Sequence, residues 1–319
     1  MLRFANTRLR LGLTLAPMAG ITDSPFRRMC KSYGAELVFS EMVSTEGIKR
    51  RNKKTLDYLF FTEEERPIAI QIFGSKIDSM KEAAEIIGEE FCPDLIDINL
   101  GCPVKKIART GAGAALLKDL KKLHLLVGNL VQSVGTPVSA KIRLGWDKDD
   151  SIEISKILED SGISLLTVHA RKAVDGYNVK ADWNVFETLK KNLSIPVIAN
   201  GDITEPEDVK FLIENIGIDG VMIGRGAIGR PWIFKMVNDY MVSNKVQEEP
   251  SWKERIGLLL KHIELMRKHY GDEITLRRIK RQIVFYLKKH PFAKQVRNIA
   301  VRIEKLSELI MFLQTLKKE

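Results

Sequence analysis

The sequence predicts an α/β chain, a (β/α)8 TIM barrel followed by a small all-helical domain. Three observations carry this. Eight short apolar runs recur through about the first 230 residues, most of them followed by polar or glycine-rich residues and then a helical pattern. Polar residues gather at the C-terminal ends of those runs, the level at which such a barrel places its chemistry. Beyond a polar, proline-containing stretch at 243–251, apolar residues fall at helical spacing.

The eight runs are LTLAPM (13–18), ELVFSEM (36–42), PIAIQIFG (67–74), DLIDINLG (94–101), TPVSAKIRLG (136–145), ISLLTVHAR (163–171), IPVIANGD (195–202) and IDGVMIGRG (218–226). Strands alternating with helices pair in parallel, and eight units in this length suit a closed barrel better than an open sheet. No GxGxxG lies between a first strand and its helix; the nearest approach, GRGAIG (224–229), follows the eighth run. The stretch ADWNVFETLKKNLSIPV (181–197) reads as a helix capped at Asp182 that leads into the seventh strand. The barrel is assigned to residues 1–242 and the helical domain to 251–319.

At 45% hydrophobic and 29% charged, the 319 residues have an ordinary globular composition. No apolar run approaches the roughly 18 residues of a membrane span, and the first residues lack the apolar stretch of a signal peptide. The three cysteines, Cys30, Cys92 and Cys102, match no metal or disulfide framework. A reducing, cytoplasmic location is expected, with no membrane, no metal, and a monomer, although composition leaves the oligomeric state open. The formal net charge of +10 sits entirely in 251–319, which holds 17 Lys+Arg against 7 Asp+Glu. Charge so placed suggests a polyanionic partner such as nucleic acid. Its densest cluster is Arg277, Arg278, Lys280, Arg281, Lys288, Lys289, Lys294 and Arg297. The plainer alternative is an idle, solvated helical face.

Chemistry concentrates in DINLGCPVKKIARTGAGAALLKD (97–119). On a strand, Asp97 and Asn99 point one way and Ile96 and Ile98 the other. Cys102 follows between Gly101 and Pro103, where no regular element continues, with Lys105, Lys106 and Arg109 close behind. A thiol in such a loop suits a catalytic acid or nucleophile, although an isolated cysteine is more often a small buried hydrophobe. Further polar residues fall at the same level: Gln71, Lys141, Arg143, His169, Asn200, Asp202 and Arg225. So many converging polar groups make a poor core, because each would need desolvating. The loops ANGDIT and IGRGAIGRP, after the seventh and eighth runs, carry Gly201, Gly224 and Gly226, whose backbone N–H groups can approach an anion. His169 and Arg225 are expected to add charge there, so a phosphate-bearing cofactor or substrate is expected.

The motifs LAPMAGITDSPFR (15–27), SEMVSTEG (40–47), QIFGS (71–75), DINLGCPVKK (97–106), GAGAALLKD (111–119), KIRLGWD (141–147), VHAR (168–171), ANGDI (199–203) and GRGAIGRPWIF (224–234) resemble, in order and over nearly the whole chain, the tRNA-dihydrouridine synthases. The resemblance implies an FMN cofactor reduced by NADPH, and saturation of the C5–C6 bond of particular uridines in tRNA. It implies hydride transfer to C6, with Cys102 protonating C5 from the opposite side. Pro17, Met18 and Ala19 would lie along the flavin ring, and Gln71 and Lys141 at its polar edge. His169, Asn200, Gly201, Asp202, Gly224 and Arg225 would hold the ribityl phosphate, and Asn99 and Arg143 would face the uracil. One departure is GYNVKADW (176–183), with Val179 where the family pattern has a small residue.

Two other readings compete. An FMN barrel reductase of a small pyrimidine or enoate explains the barrel and the phosphate loops, but not the placement of the charge. A non-catalytic RNA-binding barrel leaves Gln71, Lys141 and His169 without purpose.

Overall fold

The computed structural model describes residues 1–288 and 293–318. It opens with an antiparallel hairpin of β1 (Leu2–Phe4) and β2 (Thr7–Leu9). Each of the eight apolar runs then contains a barrel strand: β3 (Leu13–Leu15), β4 (Leu37–Phe39), β6 (Ile68–Phe73), β7 (Leu95–Leu100), β8 (Val138–Arg143), β9 (Leu165–His169), β10 (Val197–Asn200) and β11 (Gly220–Ile223). All their pairings are parallel, and β11 returns to β3 to close the ring. A two-residue strand, β5 (Val43–Ser44), adds to the outer end of β6.

Strand alternation sorts the side chains. Ile96 and Ile98 of β7, and Val138, Ala140 and Ile142 of β8, belong to the large core between sheet and helices. The other parity faces the barrel axis, where Leu37, Ala69, Leu95, Leu165 and Ile198 form a separate apolar cluster with Leu2, Phe4 and Leu9 of the hairpin. The hairpin thus plugs the N-terminal end of the barrel. It is not among the expected elements, because LRF and TRL, each interrupted by an arginine, form no apolar run. Further along the same inward rows the side chains become polar, and the site begins there.

The helix after β9 spans Val185–Asn192, shorter than the expected 181–197. Asp182 is not its cap. Its carboxylate accepts from the backbone and side-chain N–H of Asn184, which occupies the capping position. The departure at Val179 is local: its side chain is exposed, and its backbone carbonyl accepts from Arg171 Nε.

After the last barrel helix, Ile233–Ser243, an irregular stretch leads to a capping box of Ser251 and Glu254 that starts the helix Trp252–Tyr270. Further helices span Asp272–Ile279, Ile283–Tyr286, Ala293–Arg302 and Leu306–Lys318. They surround a core of their own, built from Ile256, Leu259, Ile263, Tyr286 and Leu309 among others, but Trp232 and Met236 on the barrel side belong to it too. Glu249 pins the junction. Its carboxylate accepts from Trp232 Nε1 at 2.6 Å and pairs with Arg230 of the barrel and Arg255 of the long helix. At Gly229 (φ +65°) a Cβ would stand 2.5 Å from the backbone of Phe285, so the two parts meet there without room for a side chain.

The basic cluster does not act as one surface. Arg278 pairs with Asp23 of the barrel at 3.2 Å and lies over the Tyr270 ring, and Lys280 Nζ donates to the Val301 carbonyl. Arg277, Arg281, Lys288, Lys294 and Arg297 are exposed, and Lys289 lies outside the described residues. Among the described residues no helix is long and apolar enough to cross a membrane.

Candidate active site

The inward rows reach the C-terminal end of the barrel as Gln71 on β6, Asn99 on β7, Lys141 and Arg143 on β8, His169 on β9 and Asn200 on β10. Parallel register sets them side by side: Asn99 opposite Lys141, Arg143 opposite His169, and His169 opposite Asn200. Of these, Lys141, His169 and Asn200 line a cleft of about 680 Å3 over β8 to β11 and β3. One wall is Ala16, Pro17 and Met18, an apolar strip that leaves β3 and turns on the Met18–Thr22 hydrogen bonds. The far end is cationic and glycine-lined, with His169, Gly201, Asp202, Gly224 and Arg225. Phe285, Arg255 and Lys288 of the helical segment close the outer rim.

Lys141 occupies the floor, where its Nζ donates to Asn200 Oδ1 at 2.9 Å while Asn200 Nδ2 donates to the Met222 carbonyl. Desolvation first, then the positive charge of Arg143, pulls Lys141 down to about 7, with Asp97 opposing. His169 is not a source of charge, contrary to expectation. Burial and then the nearby Lys141, Arg143, Arg171 and Arg225 hold its imidazole well below the usual range, so it is neutral. Arg171 Nη1 lies 3.1 Å from His169 Nε2. Because an arginine only donates, Nε2 accepts and the imidazole proton sits on Nδ1.

Arg171 and Tyr177 extend the predicted set. The Arg171 side chain is 1% exposed, pairs with Asp202 and donates to the Val179 carbonyl. It stands two residues beyond His169, past the end of the strand, and carries no local mark of that role. Asp202 also accepts from Ala181 N–H and from Arg225 at 3.0 Å. Burial pushes its carboxyl up, but the Arg171 hydrogen bond and the two arginine charges hold it below the ordinary range. Tyr177, on a loop with no periodicity to read, lies with its ring 4.2 Å from the Arg225 guanidinium and stacks at 6.4 Å on His169. Glu41 is buried and accepts from Gly20 N–H, and burial raises its carboxyl.

Ala19, Gln71, Asn99, Cys102 and Arg143 lie outside the cleft lining. Ala19 is exposed on the turn after Met18. The other four form a connected group on β6 to β8. Gln71 Nε2 donates to Asp97 and Asn99 Nδ2 donates to Gln71 Oε1. Asn99 Oδ1 accepts from the N–H groups of Gly101 and Cys102. Arg143 is buried, with Nε donating to the Gly101 carbonyl and Nη1 to that of Lys172, both at 2.9 Å. The cysteine loop is therefore pinned from two strands, and Cys102 is partly exposed within it.

The donor set fits a flavin mononucleotide: an apolar strip for a flat ring, an amine at its edge, and arginines with glycine N–H groups for a phosphate. The dihydrouridine synthase family model matches residues 14–319. The chain belongs to the dihydrouridine synthase family. It is 40% identical to tRNA-dihydrouridine synthase B of Pasteurella multocida (strain Pm70), over 90% of this chain and 86% of that protein. With the probable tRNA-dihydrouridine synthase of Aquifex aeolicus (strain VF5) it shares 38% over 95% of each. Among solved structures, an old yellow enzyme homologue from Zymomonas mobilis superposes with a TM-score of 0.55 at 14% identity, over 78% of this chain and 93% of that one. A 2-naphthoyl-CoA reductase complex gives 0.59 at 14% identity, over 75% of this chain and 51% of that one. At such identity these two show the barrel fold alone. This member of the family is thus an enzyme.

Proposed function

We propose that the protein is an FMN-dependent tRNA-dihydrouridine synthase that reduces the C5–C6 double bond of particular uridines with NADPH, in the cytoplasm. The observation that carries this is the adjacency, on neighbouring strands, of a cleft lined by Lys141, Arg171 and Arg225 and a pinned loop bearing Cys102. Its wider support is the family match over residues 14–319.

Bound FMN, once reduced by NADPH, would supply hydride chemistry at C6. The protein's own residues do the rest. Pro17, Met18 and Ala19 would flank the ring, and the Lys141 ammonium and the remaining N–H of Gln71 would meet its polar edge. Gly201 and Gly224 N–H groups, Arg225, Arg171 and neutral His169 would hold the phosphate. Asp202 serves by orienting the two arginines. Asn99 and Arg143 border the uracil. As the C6–H bond forms, the C5–C6 π pair takes the Cys102 thiol proton at C5, and solvent reprotonates the thiolate. The barrel, 1–242, carries this chemistry. The helical part, 251–319, supplies the cationic surface for tRNA phosphates, and the uridine must leave its stack to reach the cleft.

The test is purified protein with flavin absorbance and NADPH, given unmodified tRNA or free uridine. Dihydrouridine formed in tRNA alone supports the reading. Turnover of free uridine at a comparable rate favours a small-molecule reductase, and a colourless protein that binds RNA favours a non-catalytic barrel.

A further inference from the structure

Asp97 lies fully buried on the barrel axis. Its two oxygens accept from Ser139 Oγ and Gln71 Nε2, each at 2.6 Å. With its nitrogen drawn to Asp97, Gln71 turns its oxygen to Asn99 Nδ2 at 2.8 Å. Asn99 then turns its own oxygen to the N–H groups of Cys102 at 3.0 Å and Gly101 at 3.3 Å. A primary amide fits a site equally well in either of two orientations with opposite hydrogen-bonding sense. Two amides in series, between a carboxylate and two backbone N–H groups, satisfy every partner in one sense only. The sense is set from both ends, because an ionised carboxylate only accepts and a backbone N–H only donates.

The loop's carbonyls are held from elsewhere. Arg143 donates to that of Gly101, and Ala114 N–H to that of Cys102 at 3.0 Å. Gly113 (φ +62°) packs so close that a Cβ there would stand 2.7 Å from the Cys102 oxygen. The Gly101 and Cys102 N–H groups alone depend on Asn99, and through it on Asp97.

We propose that Asp97 is a positioning residue for Cys102: its carboxylate fixes one end of the Gln71–Asn99 amide chain and so holds the loop that carries the thiol. This rests on the reading in which Cys102 delivers the proton. Its test reads the loop directly, so that the two stand or fall separately.

Asp97→Asn keeps the shape and removes the acceptor-only character, leaving the sense of the two amides held from the backbone end alone. In the flavin-loaded protein, hydrogen exchange followed by mass spectrometry is expected to accelerate about tenfold at Gly101 and Cys102, and only in peptides covering 99–104. With unmodified tRNA, kcat is expected to fall about tenfold. Loop exchange at the wild-type rate overturns the proposal, and so does acceleration spread through the whole barrel. If the variant does not fold, nitrogen-15 NMR of the wild type decides. One side-chain N–H each of Gln71 and Asn99 should be protected about a hundredfold over exposed amides, and free exchange of both overturns the relay. If the loop responds to Asp97→Asn but wild-type protein leaves tRNA unreduced, the relay stands and the reading of the reaction falls.

Discussion

Asp202 is shared by two arginines of opposite exposure: Arg171 grips one carboxylate oxygen from the buried side, and Arg225 meets the other at 3.0 Å from the half-exposed rim. Removing Arg171 strands a partly buried carboxylate and frees the Val179 loop. Arg171→Leu should destabilise the fold by about 2–3 kcal/mol, below the full loss for a wholly buried pair because Asp202 reaches solvent. It should also lower FMN affinity. Arg225→Ala, at the rim, should cost about 1–2 kcal/mol of FMN binding and leave the melting temperature nearly unchanged. Fluorescence titration with FMN and thermal melting check both. Equal loss of stability in the two variants would contradict this division of labour.

With FMN bound as proposed, Lys141 should make the binding a proton-linked event. In the free protein desolvation pulls its ammonium down to about 7 from the usual 10.5. Between those values the unfolded chain binds more protons than the folded one, so stability of the free protein should rise with pH through that window. Anionic charge on the bound flavin pulls Lys141 back up, so binding near pH 8 should take up a proton. Calorimetry in two buffers of different ionisation enthalpy measures this directly. Binding with no proton uptake in the wild type, or with uptake that persists in Lys141→Met, would remove Lys141 as the group responsible.

Asp97 works in the opposite sense. Burial first raises its carboxyl to about 6, against the hydrogen bonds from Ser139 and Gln71 and the charge of Lys141. The folded state therefore holds the proton more tightly than the unfolded one, and this group's contribution to stability should decline as pH rises from about 4 to 6. Urea denaturation across that range should show a stronger pH dependence in Asp97→Asn than in the wild type, because the opposing contribution is gone.

Cys102→Ala should still bind FMN and still be reduced by NADPH, yet scarcely reduce tRNA. The thiol is partly exposed, and the loop's hydrogen bonds run through backbone atoms that alanine retains. Rapid-reaction absorbance separates the two half-reactions. Wild-type turnover on tRNA would end the acid role, and loss of FMN would mark the cysteine as structural.

On the helical part, exposed Arg277, Arg281, Lys294 and Arg297 are available to phosphates, while Arg278 is engaged by Asp23 and Tyr270. Alanine at Arg277 and Arg281 should raise KM for tRNA and reduce the log–log salt slope by about 0.7–0.9 for each phosphate no longer neutralised. Arg278→Ala should instead lower the melting temperature by breaking the ion pair with the barrel. A salt-independent KM would count against this surface as the tRNA site.

The barrel was legible because eight apolar runs with polar ends leave few alternatives, and period-two alternation put Asn99, Lys141 and His169 on the correct face. What the sequence hid was pairing. Arg278 looked like its neighbour Arg277 until Asp23, distant in the chain, appeared beside it. The charge expected of His169 vanished because burial and four cations surround it, and no local pattern encodes that. Arg171 stands just past the end of β9 and carries no local mark of its role, because a buried arginine is recognisable only once its carboxylate is in place.

Trp232 and Met236 stand on the barrel side of the junction but pack within the core of the terminal helices. The two parts are therefore not interchangeable modules. A barrel cut at 250 would carry a raw apolar scar that invites aggregation, and a chimera exchanging the helices of two relatives would need its seam before Gly229. Substitutions in the helical part that spare this shared core are confined to outward residues such as Arg277 and Arg281.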